Sequence, residues 1–546
     1  MSRPPRRAVL PTISLILLLA ACSGGKPEGA GKGAAVPDVP AYGDAIVEGS
    51  IGDVSGFLTA VTSDAASHNA AGYVFNGLVR YDKDLKLEGE LAQSWDISPD
   101  GKRITFHLRK GVKWHDGVPF TSDDVMFTYK RMIDPRTPTA YGEDFKQVKR
   151  ASAPDPQTFI VEYARPFAPA LASWGMHVLP KHLLENYPDI SKSPLNKKPV
   201  GTGPYRFVEW KTGEKVVFDA SPDYFEGKPY IARVVTRVIP DQATMFLELK
   251  SGGVDTMDLT PPQYVRQTDT AEFRKSFNKY KYTAAVYTYL GFRLSHPFFK
   301  DKRVRQAVAY AADKKALIDG VLLGLGQEAT GPYKPGTWAY NPNVRKYPHD
   351  PARAKALLAE AGWKEMDGML VKDGQPFEFT VLTNAGNEAR AKTAAILQQN
   401  LAEVGIRMKI RTVEWAAFIN EFIDKRKFDA VILGWNMTPD PDQFDIWHSS
   451  KTGLKELNFV GYANPEVDRL LDDGRRTFDL EKRKRAYFRI QEILAEEQPY
   501  VFLYVPESLP VMHNRFHGIV PAPAGITYNF IKWYVPKALQ KHQIQP

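Results

Sequence analysis

The stretch LAQSWDISPDGKRITFHLRKGVKWHDGVPFTSDDV, from Leu91 to Val125, combines strand and helix signals. Pro99 to Lys102 has the composition of a turn. Ile104 to Leu108 carries apolar residues at every second position, which predicts a half-buried strand. Thr121 to Asp124 resembles a capping box, and apolar residues follow it at helical spacing. A strand followed closely by a capped helix indicates a mixed α/β architecture.

Strand and helix signals continue to alternate along the rest of the chain. Asp350-Pro351 predicts the start of a helix, and Gly362 predicts its end. Phe428 to Leu433 and Tyr500 to Val505 predict buried strands, the second of which stops at Pro506. Because there is no strict βαβ repeat, we expect α/β lobes that are elaborated by hairpins.

The N-terminus has the layout of an export signal. Its apolar run, from Ala8 to Ala21, is shorter than the roughly 20 residues that a membrane-spanning helix needs. Leu19 to Cys22 resembles a bacterial lipobox, in which the cysteine receives a diacylglyceryl group. We therefore expect residues 1–21 to be a signal peptide, Cys22 to be lipidated and residues 22–40 to be a flexible tether. A plain signal peptide with an incidental cysteine is the alternative.

Composition limits the kind of protein that this chain can be. Cys22 is the only cysteine, so no intramolecular disulfide can form and the exported chain folds on its core alone. The 546 residues, 43% of them hydrophobic, suit a globular protein of several domains. The formal net charge is +9, and we expect the basic run from Lys482 to Arg485 to be a solvated helix face. Nucleic-acid binding is not expected, because the chain is exported and its excess charge is thinly spread.

Seven short blocks of sequence follow one another in a characteristic order. They are FNGLVRYD (Phe75–Asp82), the stretch Leu91–Val125, VGTGPYRFVEW (Val200–Trp210), FFKDKRVRQAVAYAADK (Phe298–Lys314), DPARAKALLAEAGW (Asp350–Trp363), FDAVILGW with DPDQFDIWHSS (Phe428–Ser450) and NPEVDRLL (Asn464–Leu471). Each block is weak alone. Together, over nearly the whole mature chain, they resemble the family 5 extracellular solute-binding proteins, the peptide/nickel-type receptors of ABC importers.

This resemblance implies a two-lobed α/β fold, the type 2 periplasmic-binding-protein fold, with two hinge crossings and an extra small domain. Lobe I would comprise residues 41–72, 200–288 and 508–546. The small domain would comprise residues 73–199, and lobe II residues 289–507. We expect the hinge crossings near Tyr289–Gly291 and Val505–Ser508, where buried strands give way to turns that contain Gly or Pro.

The sequence contains no catalytic constellation. It has neither a Gly-x-Ser-x-Gly elbow nor a His-Glu-x-x-His motif, and its one cysteine belongs to the signal region. We therefore expect neither an enzyme nor a bound cofactor. His513 and His517 have the spacing of two metal ligands on a helix turn, but Pro510 and Gly518 indicate a loop, so no metal site is predicted.

The resemblance also implies where a ligand binds. In the family, a Gly-Trp pair leads to an acidic residue that meets the ligand's amino terminus in peptide receptors. This chain has no counterpart of that acid after Gly434-Trp435, and Asp440 is the nearest remaining one. The predicted ligand-binding residues of this block are Trp435, Asn436, Met437, Thr438 and Asp440.

Three residues near the first expected crossing complete the predicted site. Tyr287 and Tyr289 precede the crossing, and we expect them to face the cleft. The family commonly continues with Gly-Phe-Asn, whereas this chain has Gly291-Phe292-Arg293. We therefore expect Arg293 to hold a ligand carboxylate through two parallel hydrogen bonds. An ion pair between Arg293 and a neighbouring Asp or Glu is the alternative.

The resemblance implies a lipid-anchored, monomeric receptor outside the cytoplasm, periplasmic or at the cell surface, that binds oligopeptides and delivers them to an ABC permease. One alternative is the same kind of receptor for a nickel complex, haem or another organic solute. A second alternative is a lipid-anchored adhesion or chaperone-like protein that has no transporter.

Overall fold

The protein has two lobes, each built around a seven-stranded sheet. The computed structural model describes residues 38–544. Cys22, the predicted signal peptide and nearly all of the predicted tether therefore lie outside the described residues.

The sheet of lobe I is parallel at its centre and antiparallel at its edges. Its strands, in order across the sheet, are Phe277–Lys279, Pro510–His513, Thr256–Asp258, Gly43–Ser50, Ile231–Val238, Lys215–Ala220 and Tyr205–Lys211. The strand nearest the C-terminus therefore lies between two strands from the middle of the chain.

A buried ion cluster fixes this late strand to the start of lobe I. The guanidinium of Arg515 contacts the carboxylate of Asp44 and lies 2.8 Å from Asp255 Oδ2. All three side chains are buried. Because a buried carboxylate without a partner is costly, Arg515 is needed to neutralise Asp44 and Asp255.

The sheet of lobe II carries the strands that follow the first crossing. Its strands, in order, are Tyr282–Thr283, Tyr500–Ser508, Val286–Phe292, Ala430–Asn436, Glu378–Asn384 and Arg407–Val413, and Gly326–Glu328 also pairs with Tyr500–Ser508. Its central strands are almost continuously apolar, which is the pattern of strands that are buried on both faces.

The chain passes between the lobes at two adjacent points. The first crossing is at residues 280–281, and the second is at Leu509. Tyr282 pairs with Ser508 directly beside both crossings. The first crossing comes earlier than predicted, because Tyr289–Gly291 lies inside a buried strand that is paired on both sides. The predicted division of the chain into domains stays a proposal.

A smaller, four-stranded antiparallel sheet forms the core of the small domain. Its strands, in order, are Ala92–Ile97, Arg103–Leu108, Thr158–Tyr163 and Val148–Asp155. The strand predicted at Ile104–Leu108 and the capping box at Thr121 and Asp124 are confirmed. The remaining strands are Val79–Tyr81 and Leu87–Gly89, which form a hairpin, and Lys364–Met366, Met369–Lys372 and Gln375–Pro376.

Helices cover the sheets and connect their strands. The α-helices are Ala65–Ala71, Ser122–Ile133, Glu143–Lys146, Lys181–Leu184, Gln242–Ser251, Ala271–Ser276, Lys302–Ala311, Lys314–Gly320, Pro351–Glu360, Glu388–Glu403, Trp415–Ala417, Phe444–Trp447, Pro465–Arg475 and Leu480–Glu497. The π-helical segments are Gln263–Gln267 and Phe418–Ile423, and the 3-10 segments are Ala168–Ala170, Ala172–Gly175, Ile190–Lys192, Pro194–Asn196, Ser449–Lys451, Thr527–Lys532 and Lys537–Leu539. Between residues 38 and 544, no helix combines the length and the apolar character that crossing a bilayer requires.

An ionic contact, here called the seam, joins the small domain to lobe II. Its residues are Glu143 and Asp144 of the small domain and Asp442, Asp445, Lys451 and Arg475 of lobe II. The guanidinium of Arg475 contacts Asp144, and its Nε lies 3.0 Å from Asp442 Oδ2. Lys451 Nζ lies 3.4 Å from Glu143 Oε2. The side chains of Arg475 and Lys451 are each only 4% exposed, so the seam is a buried network.

Candidate functional site

A cavity of about 970 Å³ lies at the carboxyl ends of the central strands of lobe I. Ser50, Val238 and Asp258 line it, and each lies at the carboxyl end of a parallel strand. In open α/β sheets, ligands bind in the crevice outside these strand ends. The cavity is also within the range of about 300–1,000 Å³ that small-molecule sites occupy, which makes it the candidate ligand site.

Lobe II covers the same end of the lobe I sheet. A β-carbon added to Gly52, which lines the cavity, would lie 3.0 Å from the Trp415 ring of lobe II. Trp415 Nε1 is also 3.4 Å from Asp64 Oδ1 of lobe I. The backbone N–H of Glu388 in lobe II donates to Gln242 Oε1 at 3.0 Å. The two lobes are therefore in contact around the strand ends.

Carboxylates dominate the polar lining of the cavity. Arg80 binds the Glu226 carboxylate through two hydrogen bonds of 2.7 and 2.8 Å, and its Nε lies 2.8 Å from Glu88 Oε1. Glu90 accepts hydrogen bonds from Asn76 Nδ2 and from the N–H of Gly77, both at 2.7 Å. Burial nevertheless raises the pKa of Glu90 to about 7.

Two further cavity carboxylates are also desolvated. Glu48 accepts a hydrogen bond from the Tyr73 hydroxyl at 2.7 Å, and burial raises its pKa. Asp258 is the last residue of its strand, pairs with Pro510 and lies close to Tyr282. Its side chain is open to the cavity, and desolvation by the surrounding protein raises its pKa.

The predicted ligand-binding block lies at the end of a central strand of lobe II. Trp435 is half-buried, and its Nε1 donates to the Tyr500 hydroxyl at 3.2 Å. Asn436 and Thr438 are exposed, whereas Met437 is buried. These residues are adjacent to one another, and their role in binding stays a prediction.

The prediction that Tyr287 and Tyr289 face the cleft is wrong. Both side chains are completely buried in the core of lobe II. The Tyr289 ring stacks on Tyr500 with 4.0 Å between centroids. The strand that carries them is paired on both sides, and the side chains on both of its faces are buried. Sequence alternation cannot reveal which face of such a strand points to a cleft.

The structure does not bring Arg293 together with Trp435. Tyr287 pairs with Trp435, and Arg293 lies six residues further along, which corresponds to roughly 20 Å of extended strand. Arg293 Nη2 is 3.9 Å from Asp429 Oδ1, and its backbone N–H donates to the Asp429 carbonyl. The expected ligand contact of Arg293 is therefore replaced by its alternative, an ion pair with a neighbouring aspartate.

Asp440 already has a partner within lobe II. Arg483 Nη2 lies 2.8 and 3.0 Å from its two carboxylate oxygens. Arg483 belongs to the basic run that we expected to be a solvated helix face, but its side chain is buried. The expectation is therefore wrong for Arg483, because its side chain turns inward to neutralise a carboxylate that is distant in the sequence.

Sequence reasoning missed Arg390. It lies in the first turn of the helix Glu388–Glu403, and its Nη1 donates to Asn384 Oδ1 at 2.8 Å. No carboxylate of residues 38–544 forms an ion pair with it, and burial lowers its pKa. A β-carbon added to Gly434 would lie 3.0 Å from Arg390 Nη2, so the guanidinium adjoins the Gly-Trp pair. The available signal was an arginine in a first helical turn, where the helix dipole disfavours a cation.

The two histidines considered as metal ligands make different backbone contacts. His513 pairs with Phe277 at the edge of the lobe I sheet, and His517 forms a bridge with Tyr534. No cluster of three or more His, Cys, Asp or Glu residues in the described part of the chain is arranged to hold a metal ion.

Comparisons with known proteins agree with the fold. The family model described as "Bacterial extracellular solute-binding proteins, family 5 Middle" matches residues 86–455. The oligopeptide-binding protein AppA of Bacillus subtilis is 35% identical over 97% of this chain and 99% of its own length. The structure of AppA in complex with a nonapeptide superposes with a TM-score of 0.87 at 33% identity, covering 91% of this chain and 100% of that one.

A second solved structure shows that similar proteins bind other solutes. NikZ from Campylobacter jejuni, solved in complex with Ni(L-His), has a TM-score of 0.81 and 31% sequence identity. The match covers 90% of this chain and 99% of NikZ. The likeness to both structures confirms the two-lobed fold predicted from the sequence blocks.

Proposed function

Because this chain belongs to family 5 of the bacterial extracellular solute-binding proteins, we propose that it is an oligopeptide receptor that delivers its ligand to an ABC import permease. The observation that carries the proposal is the cavity of about 970 Å³ at the strand ends of lobe I, at whose edge Trp415 of lobe II approaches Gly52. Its size suits a ligand of several residues. The similarity to a protein solved with a nonapeptide supports the same class of ligand.

Arg390 supplies a charge that suits one end of a peptide. Its guanidinium is desolvated and has only the neutral Asn384 as a hydrogen-bond partner. A peptide carboxylate can accept two parallel hydrogen bonds from a guanidinium, which is the strongest neutralising contact available to it. Because Gly434 has no side chain, the guanidinium can pack directly against the backbone of the Gly-Trp pair. We infer that Arg390 binds the carboxyl terminus of the ligand, the role that we had expected of Arg293.

Contacts between the lobes couple binding to closure. Trp415 and Glu388 of lobe II reach Asp64 and Gln242 of lobe I around the strand ends. A ligand that touches both lobes stabilises this closed arrangement in proportion to its difference in affinity for the closed and open states. Closure would then present the loaded receptor to the permease.

The lipid anchor is a proposal from the sequence. Leu19 to Cys22 has the lipobox pattern behind an apolar run, and two or more acyl chains give a stable membrane anchor. Replacing Cys22 by Ser should release the protein from membranes or leave an uncleaved precursor. A mature N-terminus at another residue, without lipid, would contradict this part of the proposal.

The experiment that tests the function is mass spectrometry of the ligand that co-purifies with the protein when it is isolated without refolding. We expect peptides, which calorimetric titration of the emptied protein should then confirm as ligands. Recovery of a nickel complex, haem or another organic solute would replace the peptide by the second candidate, which the similarity to NikZ favours.

A further inference from the structure

The cavity differs in charge from the protein as a whole. Its described lining contains seven acidic side chains, Glu48, Asp53, Asp82, Glu88, Glu90, Glu226 and Asp258, and three basic ones, Arg80, Lys83 and Lys532. The complete chain has a formal net charge of +9. Seven acidic against three basic side chains leave a formal excess of four negative charges in the described lining, and such an excess in a concave site favours cations over anions.

Most of these carboxylates have partners. Arg80 neutralises Glu88 and Glu226 and lies 3.9 Å from Glu90. Asp53 accepts hydrogen bonds from Trp210 Nε1 and from the N–H of Gly213. Glu48 and Asp82 accept hydrogen bonds as well. The acidity of the lining therefore serves local structure at most of its positions.

Asp258 is the exception. No described residue forms a hydrogen bond or an ion pair with its carboxylate, and its side chain is exposed to the cavity. Of the cations in the lining, Arg80 is occupied by glutamates and Lys83 by Asp84. Lys532 is exposed on the C-terminal segment. Because the Asp258 carboxylate is exposed at the cavity wall and no described cation pairs with it, it is free to pair with a cationic group of a ligand.

The position of Asp258 suits a ligand contact. It ends a parallel strand of lobe I, and its backbone pairs with Pro510 directly beside the second crossing. Tyr282, which lies next to the first crossing, is close enough for the Asp258 charge to raise its pKa. A cation bound here therefore contacts the cavity wall at the point where the two lobes are joined.

We propose that Asp258 binds a positively charged group of the ligand, so that the receptor selects peptides carrying a cation and discriminates against acidic ones. This assignment rests on the proposed function. The cation is an ammonium or guanidinium, which belongs either to the peptide's amino terminus or to a lysine or arginine side chain. The contact of Asp258 with this cation replaces the contact to the ligand's amino terminus for which the block after Trp435 has no acidic residue. Specificity then comes from both attraction of cations and repulsion of anions by the unpaired carboxylate.

The test is a competition experiment by native mass spectrometry on the emptied mature protein. The probes are alanine peptides of three to nine residues with one central Lys, Gln or Glu, each with a free and with an acetylated amino terminus. The variants are Asp258→Asn, which keeps the shape and removes the charge, and Glu272→Gln. The second is a matched control, because Glu272 is an exposed carboxylate of lobe I that pairs with Lys275 outside the cavity.

We expect the wild-type protein to bind the free-amine peptide at least tenfold better than its acetylated form, or the Lys peptide at least tenfold better than the Gln peptide. In either case it should bind the Glu peptides most weakly. Loss of the preference on acetylation assigns the site to the amino terminus, and loss on Lys-to-Gln exchange assigns it to a side chain. Asp258→Asn should lose most of this preference while still binding the neutral peptide, and Glu272→Gln should keep it.

Equal binding of cationic and neutral peptides by the wild-type protein would overturn this assignment and leave the proposed function intact. A preference that survives in Asp258→Asn would also overturn it. Failure of every peptide to bind would instead overturn the proposed function, and the assignment with it. Asp258→Lys provides an independent check, because reversal of the charge should shift the preference towards the Glu peptides.

Discussion

The seam and the cavity both contain carboxylates whose pKa is raised by burial, but they differ in whether a cation faces each of these carboxylates. At the seam, desolvation raises the pKa of Asp445 to about 6 and also raises that of Asp144, yet buried cations of lobe II face both groups. In the cavity, Asp258 has no such cation. Carboxylates that face buried cations of the same protein indicate a structural contact. A carboxylate at a cavity wall that has no such cation indicates a place for a ligand.

Removal of the central cation of the seam should have the largest effect. Arg475→Met would leave Asp144 and Asp442 buried without their shared partner, which we expect to lower the free energy of unfolding by about 3–5 kcal/mol. Urea denaturation followed by circular dichroism measures this change. Arg476→Met is the matched control, because Arg476 is more exposed and its pair with Asp472 contributes at most about 0.5 kcal/mol. If the two variants lost similar amounts of unfolding free energy, the buried ion pairs of Arg475 would not stabilise the protein more than the surface pair of Arg476 does.

The second prediction concerns the unpaired cation of lobe II. Arg390→Gln should weaken binding of a recovered peptide by about 2–4 kcal/mol, because the ligand carboxylate would lose its charged partner. Calorimetry with the same peptide amidated at its carboxyl terminus should show an equal loss for the wild-type protein. Lys392→Gln, on the same helix but paired with Glu388 at the surface, should bind normally. Unchanged affinity of Arg390→Gln for the free peptide would show that this guanidinium is structural.

The third prediction uses pH to examine Glu90, a cavity carboxylate that has hydrogen-bond partners within the protein. Glu90 has its pKa raised to about 7 in the folded protein, so the folded state holds more protons than the unfolded state between about pH 4.5 and 7. Its contribution to stability is therefore unfavourable above pH 7, and this penalty is removed as the pH falls through that window. Glu90→Gln should differ from wild type by a term on the order of 3 kcal/mol that is fully present above pH 7 and falls below about 1 kcal/mol at pH 5. Denaturation midpoints between pH 5 and 8 measure this term. A pH-independent difference between the two proteins would contradict the raised pKa.

The smallest expected effect is on the stability of Asp258→Asn. Removal of an unpaired carboxylate should leave the free energy of unfolding unchanged or raise it by less than about 1 kcal/mol, because water in the cavity screens the charge. Thermal unfolding beside Glu272→Gln provides the measurement. A clear loss of stability in Asp258→Asn would indicate a partner within the protein and place Asp258 with the paired carboxylates of the seam.

Local features of this fold could be predicted from the sequence. The capping box at Thr121 and Asp124 and the helix start at Asp350 are confirmed, because each depends only on residues within one helical turn. Gly362 ends the second of these helices with a φ of +90°, a conformation that glycine adopts without strain. The two-lobed fold was not predicted from such local signals but from the resemblance of seven ordered sequence blocks to a known family.

The ligand site could not be predicted in the same way, because it depends on contacts between distant residues. The pair of Arg483 with Asp440 overturns the expectation of a solvated Arg483 and gives Asp440 a partner within lobe II, and neither residue has a local signal for this contact. The acidity of the cavity has the same origin. Glu48, Arg80, Glu226 and Asp258 come from four separate parts of the chain and meet only when the lobe I sheet is assembled.

The late strand of lobe I also sets an order for folding. Pro510–His513 inserts between Thr256–Asp258 and Phe277–Lys279, and Arg515 neutralises Asp44. A chain that emerges from its N-terminus must therefore release almost its whole length before lobe I can complete its sheet. Lobe II, whose strands run from Tyr282 to Ser508 without interruption, can fold earlier. Closing the long loop between Asp44 and Arg515 is slow because it forms contacts between the ends of the chain. The ligand cavity is thus among the last parts of the molecule to form.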